Sequence, residues 1–209
     1  MTVLNKLASA LERNDEVPNQ LLAKEIAAGR DRAGVRELVD NLTNKDKAIA
    51  ADCIKVLYEV GYVRPELIAP YVENFVALLT SRNNRMVWGG MTALGAIAPT
   101  NAAAVLPHLE AIIAANDNGS VITQDWGVRV LAALAAHDEK SEQRIFPYLL
   151  SFLERCPPKD LPRHAESVLV AVNNANRDAL LKLLEGRAPS LKPAPAKRLA
   201  AIIKKLRKP

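Results

Sequence analysis

The stretch Asn83–Asn116 reads NNRMVWGGMTALGAIAPTNAAAVLPHLEAIIAAN. Its apolar residues recur at steps of three and four on both sides of a Pro99-Thr100-Asn101 break. That spacing predicts two helices, each with one buried face, joined by a short turn. The same pattern stands before and after it. Setting IKVLYEVG from Ile54, MTALGAIA from Met91, VRVLAALA from Val128 and ESVLVAVN from Glu166 in register brings Leu57, Leu94, Leu131 and Leu169 into one column. The steps between them are 37, 37 and 38 residues.

A second column lies in the helix that follows. IAPYVENF from Ile68, VLPHLEAI from Val105 and IFPYLLSF from Ile145 align without gaps and bring Pro70, Pro107 and Pro147 together. Pro70 and Pro107 each follow their column leucine by 13 residues and Pro147 follows by 16, so an insertion of about one turn is expected in the loop His137–Ser141. A proline inside a helix removes a backbone bond, so its recurrence predicts a shared bend or a later helix start in each repeat. A fixed period near 37 residues, two helices per period and almost no alternating strand pattern predict an all-α fold, a right-handed superhelix of about five helix pairs.

On these residues the chain resembles the HEAT-repeat family, with armadillo-like repeats as a near relative. The segment DWGVRVLAALAA, Asp125–Ala136, is the one most similar to that family's first helix, and the proline near the start of the second helix is similar too. The family's arginine is matched at Arg129, with Lys55, Thr92 and Ser167 or its neighbours at the corresponding places. The resemblance covers roughly residues 44–185, with a weaker unit before it. It implies a non-enzymatic scaffold that binds a partner protein along a concave surface.

Composition and charge fit that frame. The 209 residues are 49% hydrophobic but only 4% aromatic, much of the remainder being alanine and leucine, which favour helix and close helix approach. Net charge is +5. From Arg187 to Pro209 there are eight basic residues and no acidic one, so the rest of the chain is mildly acidic and the tail strongly basic. Such asymmetry points to a polyanion or an acidic partner. Cys53 and Cys156 are far apart in helical patterns and read as buried free thiols of a reducing compartment. With no leader-like N-terminus and no apolar run long enough to span a bilayer, the expectation is a cytoplasmic protein.

Helix limits follow from caps and breakers. Thr2–Arg13 places Val3, Leu4, Leu7 and Leu11 on one face and predicts an N-terminal helix. Asn44 is positioned to cap a helix ended by Gly61, Asn83 or Asn84 to start the helix carrying Gly89-Gly90, Asp138 to cap one ending near Cys156, and Asp160 to cap Leu161–Val172. Gly186 is expected to end the helix Arg177–Glu185. Residues 1–186 are expected to form the solenoid. Residues 187–209 are expected to form a Pro-containing extended linker, Ala188–Pro195, followed by a basic C-terminal capping helix.

Chemistry-bearing motifs are sparse. His108, His137 and His164 lack metal-ligand spacing, Gly89-Gly90 lacks a phosphate-loop context, and no nucleophile elbow occurs. No catalytic residue, metal or cofactor is expected. Two glycines directly after Trp88 read as a place where a neighbouring helix approaches closely.

Three groups are candidate binding residues. Tyr71, His108 and Tyr148 each follow the recurrent proline; stacked, their rings either line a groove suited to an extended peptide or wedge between adjacent second helices. Trp126, beside Asp125 and one turn before Arg129, either sits at the rim of the core or contacts a ligand. A Trp-Asp-Arg set resembles that of the HEAT-like alkylpurine DNA glycosylases, and with the basic tail it gives the alternative function, nucleic-acid binding with repair activity. In the tail, Leu199, Ile202, Ile203 and Leu206 form one apolar stripe, and Lys197, Arg198, Lys204, Lys205, Arg207 and Lys208 occupy the remaining circumference. The stripe suits a cap on an open solenoid end, the cations a nucleic acid or other polyanion.

Overall fold

A computed structural model of the protein describes residues 2–207. Among the described residues there is no strand. The helices are α1 (Val17–Gly29), α2 (Arg32–Asp40), α3 (Lys47–Val63), α4 (Pro65–Ile68), α5 (Val72–Leu78), α6 (Asn84–Ile97), α7 (Ala102–Val105), α8 (Leu109–Asn118), α9 (Val121–Ala135), α10 (Glu139–Arg155), α11 (Leu161–Val168), α12 (Arg177–Arg187) and α13 (Pro193–Leu206). The chain forms two compact units, Met1–Gly127 and Val128–Pro209, with the boundary inside α9.

In the first unit, α3 packs on α1 and α6, and α6 on α5. Leu57, Leu94, Ile68 and Val105, all column residues, are fully buried there. Removing each from water contributes about 1.5–3 kcal/mol. In the second unit, Leu131 and Ile145 are buried in the same way, and α13 packs on α11 and α12. The fourth member of the first column differs from expectation. Leu169 is half-buried at the start of a 3-10 turn, while Val168 is fully buried. Val168 follows Leu131 by 37 residues, so the buried column keeps one period throughout.

The recurrent proline acts in two ways. Around Pro70 and Pro107 the chain tightens into 3-10 turns, Ala69–Tyr71 and Leu106–His108, which separate α4 from α5 and α7 from α8. Pro147 remains inside an unbroken α10. The insertion expected in the loop is helical instead. Eight residues of α10 precede Pro147, whereas five helical residues precede Pro70 and Pro107, so the extra turn extends the helix at its N-terminus.

Several ends move for identifiable reasons. Thr2–Arg13 is not an α-helix but a 3-10 turn, Leu4–Lys6, followed by further turns. The Ala8 N–H donates to Asn19 Oδ1 at 3.0 Å and the Ser9 N–H to Asp52 Oδ2 at 2.8 Å, so neither is available to a helical ladder. Asn19 Nδ2 donates to the other Asp52 oxygen at 2.8 Å, which completes a polar clasp for the segment. Asn44 does not cap α3. Its Oδ1 accepts from the Asp46 N–H, and Asp46 in turn accepts from the Ala48 N–H at 2.8 Å. Gly61 does not end α3; it lies within the helix, where a Cβ would meet Ile68 Cδ1 at 2.5 Å. Asn83 and Asp138 cap as expected, through the Arg85 and Ser141 N–H groups. Asp160 stands at the N-cap of α11, but its carboxylate takes Arg163 at 2.9 Å. Gly186 is inside α12.

Ala188–Pro195 is not an extended linker. A 3-10 turn covers Ala188–Ser190 and α13 starts at Pro193, where a proline's missing N–H costs nothing. Leu199, Ile202 and Leu206 of α13 are buried and Ile203 is half-buried, with α13 packed on α11 and α12. Arg187 fastens the same region, donating to the carbonyls of Leu153, Glu154 and Cys156 at 2.6, 2.9 and 2.9 Å, the open C-terminal end of α10.

Candidate protein-interaction surface

Gly89 and Gly90 do mark close approaches. A Cβ at Gly90 would lie 2.7 Å from the Phe75 carbonyl oxygen, and one at Gly89 would lie 2.7 Å from Ile54 Cγ1. These seat α6 tightly on its neighbours and bring the side chain before them, Trp88, against α3. The Trp88 and Tyr58 rings lie 6.0 Å apart. Tyr58 and Tyr62, one helical turn apart on α3, are 5.7 Å apart. Tyr62 then stacks on Trp126 of α9, with 5.7 Å between centroids and 20° between planes. Four rings from three successive first helices form one row within the first unit.

Cations border the row. The Lys55 ammonium stands 5.0 Å from the Tyr58 centroid and bonds Glu59 at 2.7 Å. The Arg85 guanidinium stands 5.8 Å from the Trp88 centroid and bonds Glu16 at 2.9 Å. Such contacts are worth about 0.5–1 kcal/mol at exposed sites and hold ring orientation. Beyond Arg85 the surface continues into a cleft of about 410 Å³ walled by Glu12, Arg13, Asp15 and Asp52.

Burial varies along the row. Tyr58 is buried, Trp88 and Trp126 are half-buried, and Tyr62 is 47% exposed. Val63, next to Tyr62, is 61% exposed, and Ile122, one turn before Trp126 on the same helix face, is 47% exposed. The Tyr62–Trp126 part of the row therefore carries exposed apolar side chains, Tyr62, Val63 and Ile122, beside a stacked ring pair.

The residues expected on the second helices are placed differently. Tyr71 and His108 are half-buried, and His108 Nε2 lies 3.1 Å from Glu73 Oε1. In the second unit Tyr148 stacks on Phe152 at 6.5 Å, with the Arg155 guanidinium 5.5 Å from its ring. Trp126 belongs to the aromatic row, and Arg129 is exposed one turn beyond it. In the tail, Arg198 binds Glu166 through two nitrogens, Nε at 2.7 Å, and Arg207 binds Glu185 at 2.6 Å. Lys197, Lys204 and Lys205 are exposed, and Lys208 lies outside the described residues.

The sequence did not mark Tyr58, Tyr62 or Arg85 as candidate binding residues, and it placed Lys55 only as a counterpart of Arg129 and Trp88 only before the glycine pair. A signal was available. Gly95 stands 37 residues after Tyr58, and each of these positions meets a tryptophan of the following first helix, Trp88 for Tyr58 and Trp126 for Gly95.

Reactive groups are quiet. Burial pushes the Cys53 thiol up to about 12, helped by Asp52, and burial also raises the Cys156 thiol against the opposing effect of Arg187. Both cysteines are therefore protonated and inert at neutral pH. Among the described residues no group of three or more His, Cys, Asp or Glu side chains is arranged to hold a metal. No described helix is long and apolar enough to cross a membrane.

Comparison with solved structures places the fold among HEAT/armadillo-type helical repeats. The chain is similar to an engineered protein with TM-score 0.65 and 20% identity, covering 99% of this chain and 98% of that one. It is similar to a designed armadillo repeat protein in complex with the peptide (KR)4, with TM-score 0.68, 15% identity and coverage of 98% and 100%. It also matches Kap121p bound to Pho4p, with TM-score 0.64 and 12% identity, over 95% of this chain and 22% of that one. No family model and no curated protein sequence matches.

Proposed function

We propose that this chain is a non-enzymatic helical-repeat scaffold that binds a partner protein through the aromatic row of its first helices. The observation that carries the reading is the stacked Tyr62–Trp126 pair, with Tyr62 and Ile122 each 47% exposed. Tyrosine and tryptophan bury large area with few rotatable bonds, and they dominate the energetic centres of protein interfaces. Isolated exposed apolar residues are ordinary, but a contiguous patch backed by packed rings marks an interaction site. The row lies on the first helices, not on the second helices expected from the Tyr71, His108 and Tyr148 column. Two of the similar structures hold a bound polypeptide, which agrees with a binding role.

The test is affinity capture with wild type and with the double variant Tyr62→Ser, Ile122→Ser, washed at high salt. Both side chains are half in solvent, so their loss leaves the core intact. Partners held by the row are retained by wild type at high salt and lost from the variant. Equal retention by both proteins assigns the binding elsewhere.

A further inference from the structure

Eight basic residues and no acidic one lie between Arg187 and Pro209, and the structure sorts the seven described ones into two kinds. The arginines are committed. Arg187 closes the carbonyl end of α10, Arg198 holds Glu166 of α11, and Arg207 holds Glu185 of α12. These bonds fix the helix onto the second unit. The four described lysines are not committed. Lys192, Lys197, Lys204 and Lys205 are exposed, and their side chains make no hydrogen bond or ion pair to another described residue.

We infer that the outer face of α13, carrying Lys197, Lys204 and Lys205, binds the phosphate backbone of duplex nucleic acid. Lys197 and Lys204 are seven residues apart, so they stand on one helix face about 10 Å apart along the axis, with Lys205 beside the second. Ala200 and Ala201, both exposed, lie between them and leave the helix surface low enough for close approach.

The same arrangement disfavours a protein partner for this face. The apolar side chains Leu199, Ile202 and Leu206 are buried against the unit, and the lysine face offers no aromatic or large aliphatic anchor. Protein interface cores are depleted in lysine and enriched in such anchors, whereas nucleic-acid interfaces are more polar and far more positive. With the guanidinium groups held by carboxylates, the face offers point charges and no bidentate fork. It contacts phosphate, not base edges, and binds without sequence preference.

The experiment measures binding of the full chain to a fluorescent 20-base-pair duplex across a potassium chloride series. Wild type is compared with the triple variant Lys197→Gln, Lys204→Gln, Lys205→Gln. Wild type is expected to bind at low salt, equally for two unrelated sequences. The variant is expected to lose about 2.7 units from the slope of log affinity against log salt, with its melting temperature unchanged. The Tyr62→Ser, Ile122→Ser variant is expected to bind the duplex like wild type, which keeps this outcome separate from that of the protein-binding surface. Failure of wild type to bind at low salt overturns the inference, and so does an unchanged slope in the triple variant. Tighter binding of polyglutamate, or of phosphatidylserine vesicles, than of the duplex overturns it in favour of an acidic protein or a membrane surface.

Discussion

Gly95 and Trp126 meet so closely that a Cβ at position 95 would stand 2.6 Å from Cε3 of the indole. The glycine is not a breaker here; it lies inside α6 and provides the seat for the tryptophan of the next first helix. Tyr58 occupies the preceding place in that column and receives Trp88 with its ring instead. Two ways of accommodating a tryptophan, a missing side chain and an aromatic one, thus alternate at a spacing of 37 residues. Both place an indole in the row, on either side of the Tyr58–Tyr62 pair.

Filling the seat should displace Trp126. Gly95→Leu is expected to cost about 1–3 kcal/mol through overpacking, and to shift the tryptophan emission as the Tyr62 stack opens. Gly186→Ala is expected to do the opposite. Nothing lies within 4 Å of a Cβ at Gly186, and the residue is helical. Removing a helix-interior glycine should therefore stabilise by about 0.5–1 kcal/mol. Urea unfolding of both variants checks the two signs.

Column burial sets the second expectation. Leu94→Ala and Leu131→Ala each remove a fully buried side chain and should cost about 2–5 kcal/mol. Lys47→Ala, on an exposed position, should stay within about 0.5 kcal/mol. The register finding adds a sharper comparison: Val168→Ala should destabilise more than Leu169→Ala, because Val168 is the buried member. Denaturation midpoints that reverse this last order would contradict the assigned column.

His164 makes stability depend on pH. It is buried in the second unit, with its ring edge-on to Phe152 at 5.2 Å. Burial, with Arg163 adding, lowers its pKa from 6.5 to about 4. The folded state therefore prefers the neutral ring. Above about pH 6.5 the unfolded chain is neutral too and the full contribution is present. As pH falls through this window the unfolded chain takes up a proton that the folded chain refuses, and stability is lost progressively down to about pH 4. His164→Leu should flatten this part of the melting-temperature profile. A variant whose profile keeps the wild-type slope between pH 6.5 and 4 would remove His164 as the cause.

Much of the architecture was legible because helix pairing in a repeat depends on short-range periodicity, which the sequence carries directly. The columns at Leu57, Leu94 and Leu131 and at Ile68, Val105 and Ile145 are buried as the spacing requires. Most misreadings occurred where a distant group overrides a local rule. Ala8 and Ser9 leave the helical ladder because Asn19 and Asp52 bind their N–H groups. Gly61 looks like a helix end, yet it lies inside α3 against Ile68; Gly186 lies inside α12 with no neighbour to explain it. The tail looked uniformly cationic until Glu166 and Glu185, from two other helices, claimed its arginines. The aromatic row was the hardest to foresee, since ring contact between Tyr62 and Trp126 depends on how α3 and α9 stack, and neither residue shares a repeat column with the other.

The central claim, that the exposed end of the aromatic row is where a partner docks, is tested most directly by site-specific photocrosslinking in cells. Benzoylphenylalanine placed at Val63, which is 61% exposed beside Tyr62, is compared with the same residue placed at Tyr71 on the second-helix face. Docking at the row should give a discrete crosslinked species from position 63 that disappears when Ile122→Ser is added, and none from position 71. A discrete species from position 71, with none from 63, would contradict it and move the binding surface to the second helices.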